Sequence, residues 1–179
     1  QGCKNLMRYG YTLQYVRNTL QLNQGFITDD TADTLHHPIF SEIAFYAGIA
    51  ETDWSWSPAV ADFDNDGLRD IIITNGYPRD VTDNDFVSYR TEANRFASWN
   101  TMMEQIPQIK IPNYVYHNKG NAQFEEVTKA WGMDLPSFSN GAAYADLDRD
   151  GDLDYIVNNI NDPAFLYENT LNDREKHPG

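Results

Sequence analysis

The chain has 179 residues, 41% of them hydrophobic and 13% aromatic, which is enough to bury the core of an ordinary domain and makes disorder the wrong starting expectation. Its formal net charge of −14 has the wrong sign for binding a phosphate backbone, which needs clustered Lys and Arg, so the charge argues against nucleic acid as a partner. A single cysteine, Cys3, excludes an internal disulfide, and no apolar run is long enough to cross a membrane as a helix.

No secretory leader is read in the sequence, and an exported parent is expected to have had its leader removed. Tyr15-Val16-Arg17-Asn18 is followed by strand-like sequence up to residue 50. His36 and His37 stand beside Pro38 without a third ligand nearby, so they do not make a metal site. Trp54 and Trp56, two residues apart, share one face of a strand. That pair suits either an aromatic platform for a sugar ring or core packing, and packing is the favoured reading.

Next comes Asp62-Phe63-Asp64-Asn65-Asp66-Gly67-Leu68-Arg69-Asp70, then the β-branched run Asp70-Ile71-Ile72-Ile73-Thr74. Tyr77, Arg79 and Asp80 follow, a turn with a surface ion pair more than a pocket lining. Phe86, Tyr89, Phe96, Trp99, Met103 and Ile106 recur at helical spacing, so a helix is expected at about 83–106, bounded by Pro107 and packed against the rest of the fold. Tyr114-Val115-Tyr116 and Phe124 to Thr128 flank Asn118-Lys119-Gly120-Asn121, which predicts a hairpin. His117, at a strand end, is expected to be an ordinary packed or exposed histidine, and Glu125 and Glu126 alternate faces and cannot act as a pair. A second acidic loop, Asp146-Leu147-Asp148-Arg149-Asp150-Gly151-Asp152-Leu153-Asp154, leads into a second strand-like run, Asp154-Tyr155-Ile156-Val157-Asn158.

These stretches are copies of one unit. Residues 40–75 align without a gap on residues 124–159, at an offset of 84, with 13 identities in 36 positions. Those identities include Asp62/Asp146, Asp64/Asp148, Asp66/Asp150, Gly67/Gly151 and Asp70/Asp154. Val115-Tyr116-His117-Asn118 recurs as Leu166-Tyr167-Glu168-Asn169, after an insertion of 33 residues in the first copy. Strand, acidic loop, strand, strand, turn, strand is the order of a four-stranded propeller blade.

Both loops read D-x-D-x-D-G-x-x-D, and nine of the 27 acidic residues lie in them. Ca²⁺ takes six to eight oxygens, and alternate aspartates on a curling backbone can converge to supply them. The glycine permits the sharp turn. A backbone carbonyl at the seventh position, from Leu68 or Asp152, would add an oxygen, and Asp70 or Asp154 would close each site. An EF-hand fails on its own spacing, because its twelfth position falls on Ile73 or Val157 inside strand-like runs. Mg²⁺ prefers to keep its waters, and zinc would want Cys or His within the loops. Without a cation, four or five carboxylates in nine residues repel one another, which argues against plain solvated turns.

With the segments Trp54 to Pro58, Asn75 to Asp80 and Ser139 to Ala145, these loops resemble FG-GAP/VCBS repeats of integrin-like β-propellers, in particular the bacterial type that carries an ASPIC/UnbV domain and is related to cartilage acidic protein. The resemblance runs from about Tyr15 to Asn169. It implies a mainly β fold of four-stranded antiparallel blades, with Ca²⁺ at two sites. Residues 11–50 would supply the last strands of one blade, 51–133 a complete blade with the helical insertion, 134–170 the first strands of the next, and 171–179 a tail. The chain would then be a fragment of about two blades, with the remaining blades and the ASPIC/UnbV domain elsewhere. The ligands implied are Asp62, Asp64, Asp66 and Asp70, and Asp146, Asp148, Asp150 and Asp154. The family is exported, so the expected compartment is outside the cytoplasm, and the expected function is recognition or adhesion to a protein or glycan. A propeller within a carbohydrate-active enzyme, a lyase or glycosidase, is the alternative. The family carries no general catalytic residues, and enzyme motifs such as G-x-S-x-G are missing from the sequence.

Overall fold

A computed structural model describes residues 17–27, 37–78, 106 and 108–172. Among them the chain is mainly β, built of antiparallel sheets with almost no helix. The helix expected at 83–106 lies outside the described residues, apart from Ile106, which is buried. Two compact units divide after Glu51.

In the first unit, β1 (Gln21–Ile27) pairs antiparallel with β2 (His37–Glu42). A single helical turn, α1 (Ala44–Ala47), follows and stops at Gly48, whose φ of 79° needs a glycine. Glu42 ties this corner: its carboxylate accepts from the N–H groups of Ala44 at 2.8 Å and Leu20 at 3.4 Å and pairs with Arg17 at 2.8 Å. The turn was invisible to periodicity because four residues contain no repeat of a 3.6-residue pattern.

In the second unit, β3 (Ser55–Ala61), β4 (Asp70–Asn75), β5 (Tyr114–Asn118) and β6 (Phe124–Glu126) form a four-stranded antiparallel meander. A second meander has three strands, β7 (Ser139–Ala145), β8 (Asp154–Asn159) and β9 (Phe165–Tyr167). Each acidic loop joins the first two strands of its sheet, and the hairpin over Asn118–Asn121 joins β5 to β6. All six residues of β4 are buried, and at its centre Ile71, Ile72 and Ile73 form a continuous apolar run, not an alternating one. In β3 the alternation is clean at its end, with Ala59 and Ala61 inside and Val60 47% exposed.

The two sheets share one core. Ala59, Ala61, Phe63, Ile72, Val115 and Met133 of the first repeat pack with Tyr155 and Val157 of the second. Small alanines on β3 leave room for the Phe63 ring, which meets Tyr155 edge-on at 6.0 Å and Tyr144 at 5.6 Å. Burying a side chain such as Phe63 or Ile72 contributes about 1.5–3 kcal/mol. Phe63 is the second residue of the first acidic loop, so this packing fixes the loop against the next sheet. Its counterpart Leu147 is 50% exposed.

Candidate metal centres

The acidic loops have the same backbone. Asn65 and Arg149, at equivalent positions, take φ of 56° and 68°, and Gly67 and Gly151 take 88° and 94°. This left-handed pair turns the chain sharply so that successive aspartates face one another. The ligand atoms of Asp62, Asp64 and Asp66 lie within 4.8 Å of one another, as do those of Asp146, Asp148 and Asp150.

The hydrogen bonds also correspond. Asp62 Oδ1 accepts from the Asp66 N–H at 3.1 Å and Oδ2 from Gly67 at 2.9 Å. Asp146 does the same for Asp150 at 3.1 Å and Gly151 at 3.2 Å. Asp64 and Asp148 accept from Asp66 and Asp150, at 3.3 and 3.2 Å. Asp66 Oδ1 accepts from Leu68 at 2.7 Å, and Asp150 Oδ1 from Asp152 at 3.1 Å. Amide donors aimed at a carboxylate leave other lone pairs open, since each ionised carboxylate offers about four.

The closing aspartates play a different part. Asp70, 0% exposed, accepts from the Phe63 N–H at 3.1 Å through Oδ2 and from Asn118 at 2.9 Å through Oδ1. Asp154 accepts from Leu147 at 2.9 Å and Asn169 at 2.9 Å. Each clamps the start of its loop to the third strand of its sheet. Asp70 also falls within 4.8 Å of Asp64 and His117 as a possible ligand, while Asp154 joins no such group among the described residues.

His117 departs from the ordinary role expected of it. Its Nδ1 stands 3.1 Å from Asp64 Oδ2 and 3.3 Å from Asp70 Oδ1. The cause is strand register: Ile71 faces Tyr116 and Ile72 faces Val115, so one step further places His117 across from Asp70. The same register in the second sheet, with Tyr155 facing Tyr167, places Glu168 across from Asp154. The recurring His-Asn and Glu-Asn pairs at the end of β5 and after β9 were the available signal. Asn118 and Asn169 were likewise missed; their side chains donate to the carbonyls of Arg69 at 2.9 Å and Phe63 at 2.7 Å.

Charge crowding is visible in the electrostatics. Burial, then the charges of Asp70 and Asp66, raise the Asp64 carboxyl above its ordinary range. Burial likewise raises Asp152, with the charges of Asp150 and Asp154 adding to it. Asp152 is 1% exposed; Oδ2 accepts from the Asn172 N–H at 3.0 Å, and Oδ1 is buried without a hydrogen-bond donor. A buried carboxylate oxygen lacking a donor, beside converging carboxylates, fits a hard cation.

Trp56 does not take the interior position expected. It is 45% exposed, its indole N–H donating to the Gly76 carbonyl at 2.9 Å, while Trp54 stacks on Tyr77 at 5.2 Å. The register shift between Ser55 and Pro58 sets the indole at the strand end, where the chain turns away. Arg79 and Asp80 lie outside the described residues, as does His36.

Comparison with known proteins agrees with this arrangement. A family model for the FG-GAP repeat matches residues 54–89, and one for the FG-GAP-like repeat matches residues 83–157. Cartilage acidic protein 1 of Mus musculus is 40% identical over 57 residues, which is 31% of this chain and 9% of that protein. The Homo sapiens protein of the same name is 39% identical over 57 residues, and that of Xenopus tropicalis 37% over 62. The chain thus meets about a tenth of the length of these relatives, at 9–10%. On the matched models, the repeated loops and these relatives, the chain carries FG-GAP repeats.

Proposed function

We propose that each acidic loop holds one Ca²⁺, and that the chain is part of an integrin-like β-propeller acting outside the cytoplasm in ligand recognition or adhesion. The observation that carries this reading is the correspondence of the two loops. Eighty-four residues apart, both converge three carboxylates within 4.8 Å on matching left-handed turns, with four amide-to-carboxylate bonds in common. Asp62, Asp64, Asp66 and the Leu68 carbonyl would hold the first ion, and Asp146, Asp148, Asp150 and the Asp152 carbonyl the second. Asp70 and Asp154 would close the sites while clamping their loops.

The ion's part is structural. It offsets repulsion among carboxylates that, at about 4 Å, costs roughly 1–4 kcal/mol per pair between bulk water and a protein surface. Extracellular calcium modules bind at about 10⁻⁴–10⁻³ M, a range in which such sites fill outside the cytoplasm and stay empty within it. Further blades are expected beside β7–β9, where Leu147, Ile156 and Leu166 are exposed at positions that an adjoining sheet would cover. The partner is a protein or a glycan, and the charge of −14 disfavours nucleic acid.

Calorimetric titration of the chain with Ca²⁺ tests the reading. Two equivalents are expected, falling to one in Asp64→Ala and to one in Asp148→Ala. A folded chain that takes up no Ca²⁺ would overturn it.

A further inference from the structure

The two repeats differ at the position across from the closing aspartate. Where the second repeat has Glu168, the first has His117. Its Nδ1 lies 3.1 Å from Asp64 Oδ2 and 3.3 Å from Asp70 Oδ1, and potential ligand atoms of the three residues fall within 4.8 Å of one another. The His117 ring is held in place by Trp131, with centroids 6.2 Å apart, and by the backbone of β5.

With Nδ1 unprotonated, the imidazole nitrogen and the two carboxylate oxygens present lone pairs to one another. A single Nδ1–H can align well with one acceptor only. The spacing also suits a small divalent ion. Ligands about 2.1 Å from one metal are about 3.0 Å apart at a right angle and about 3.4 Å at the tetrahedral angle. The observed separations of 3.1 and 3.3 Å fall between these. Ca²⁺, with bonds of about 2.4 Å, would spread a right-angled pair to about 3.4 Å and prefers oxygen to imidazole.

We propose that the first loop has a mixed nitrogen and oxygen site, in which Asp64, Asp70 and His117 Nδ1 take a borderline divalent ion of the Zn²⁺ class, while the second loop takes hard cations only. This rests on reading the loops as cation sites and adds that the two differ in selectivity. His117 is the residue that sets the difference.

The test is Zn²⁺ uptake by the full chain in competition with a chromophoric chelator, with Ca²⁺ calorimetry run in parallel. One Zn²⁺ equivalent is expected. His117→Gln should weaken it at least tenfold, and His117→Glu should remove it while leaving two Ca²⁺ sites, reproducing the second loop. Asp148→Ala and His37→Gln should leave Zn²⁺ uptake unchanged. Circular dichroism establishes that each variant is folded. The imidazole resonances of His117 in the unsubstituted chain should shift on adding Zn²⁺, which needs no variant. Undiminished Zn²⁺ uptake in folded His117→Gln, or unmoved His117 resonances, overturns the proposal. If Zn²⁺ is lost with His117 but neither loop takes Ca²⁺, the nitrogen site stands and the calcium reading falls.

Discussion

Asn169 donates its side-chain amide to the carbonyl oxygen of Phe63 at 2.7 Å, joining the end of the second repeat to the first loop across 106 residues. The same amide reaches the Leu153 carbonyl at 3.5 Å, and its backbone N–H meets Asp154. One residue thereby connects both acidic loops. Asn118, its counterpart, bonds Arg69 and Asp70 within its own repeat.

Asn169→Ala should therefore destabilise the chain by about 1–3 kcal/mol, because the buried Phe63 carbonyl loses its donor. Asn118→Ala, whose lost amide served a more exposed carbonyl, should cost less. Chemical denaturation midpoints at constant slope check this ordering, and equal losses would mean that the link to Phe63 adds nothing beyond the local bond.

The closing aspartates and the ligand aspartates should separate in melts with and without calcium. Asp70→Ala removes the acceptor of the Phe63 and Asn118 N–H groups in a fully buried place, which should cost about 2–5 kcal/mol in chelator as well as in Ca²⁺. Asp64→Ala should cost little in chelator, where it relieves like-charge repulsion. In Ca²⁺ at a hundredfold excess over Kd it should forfeit about 2.7 kcal/mol, the linkage of one site. Equal behaviour of the two variants in both conditions would remove the distinction between clamp and ligand.

Much of this was legible in the sequence, for identifiable reasons. The loops and the strands after them depend on local rules: alternation of aspartates, a glycine at the turn, and β-branched runs in Ile71 to Ile73 and Tyr155 to Val157. The hairpin at Asn118–Asn121 is likewise local. The role of His117 was not legible, because it depends on the register between β4 and β5, which brings it to Asp70 across a sequence separation of 47. The clamping role of Asp70 was hidden for the same reason, since one of its two amide donors, Asn118, comes from β5. Trp56 followed a strand rule as far as its face, but a register shift set its depth.

Gly76 offers a test of how closely the sheets approach. Its φ is 103°, and a Cβ there would stand 2.7 Å from the Ser137 carbonyl oxygen, a backbone atom with little freedom to move. Gly67, at φ 88°, has open space around the same position. Gly67→Ala should lose about 1 kcal/mol from backbone strain alone, and Gly76→Ala distinctly more. Thermal melts of the two variants in chelator, where the metal plays no part, read the difference. Similar losses would show that the Ser137 segment can withdraw.

Asp152 is the place where folding and the cation are most directly opposed. Its carboxyl is buried, Oδ1 has no donor, and the Asp150 carboxyl lies beside it. Burial and the charges of Asp150 and Asp154 raise its pKa, so the ionised form is disfavoured in the folded chain. A carboxyl raised on folding removes stability above its folded pKa and returns it as pH falls through that value. Asp152→Asn keeps the shape and an acceptor for the Asn172 N–H while discarding the charge. In chelator at neutral pH the variant should therefore melt higher than the parent chain. In Ca²⁺ the order should invert, because the ion compensates the parent's charge and has less to neutralise in the variant. A variant less stable in both conditions would mean that the Asp152 carboxylate is satisfied without a cation, and the second loop would lose its strongest electrostatic reason to bind one.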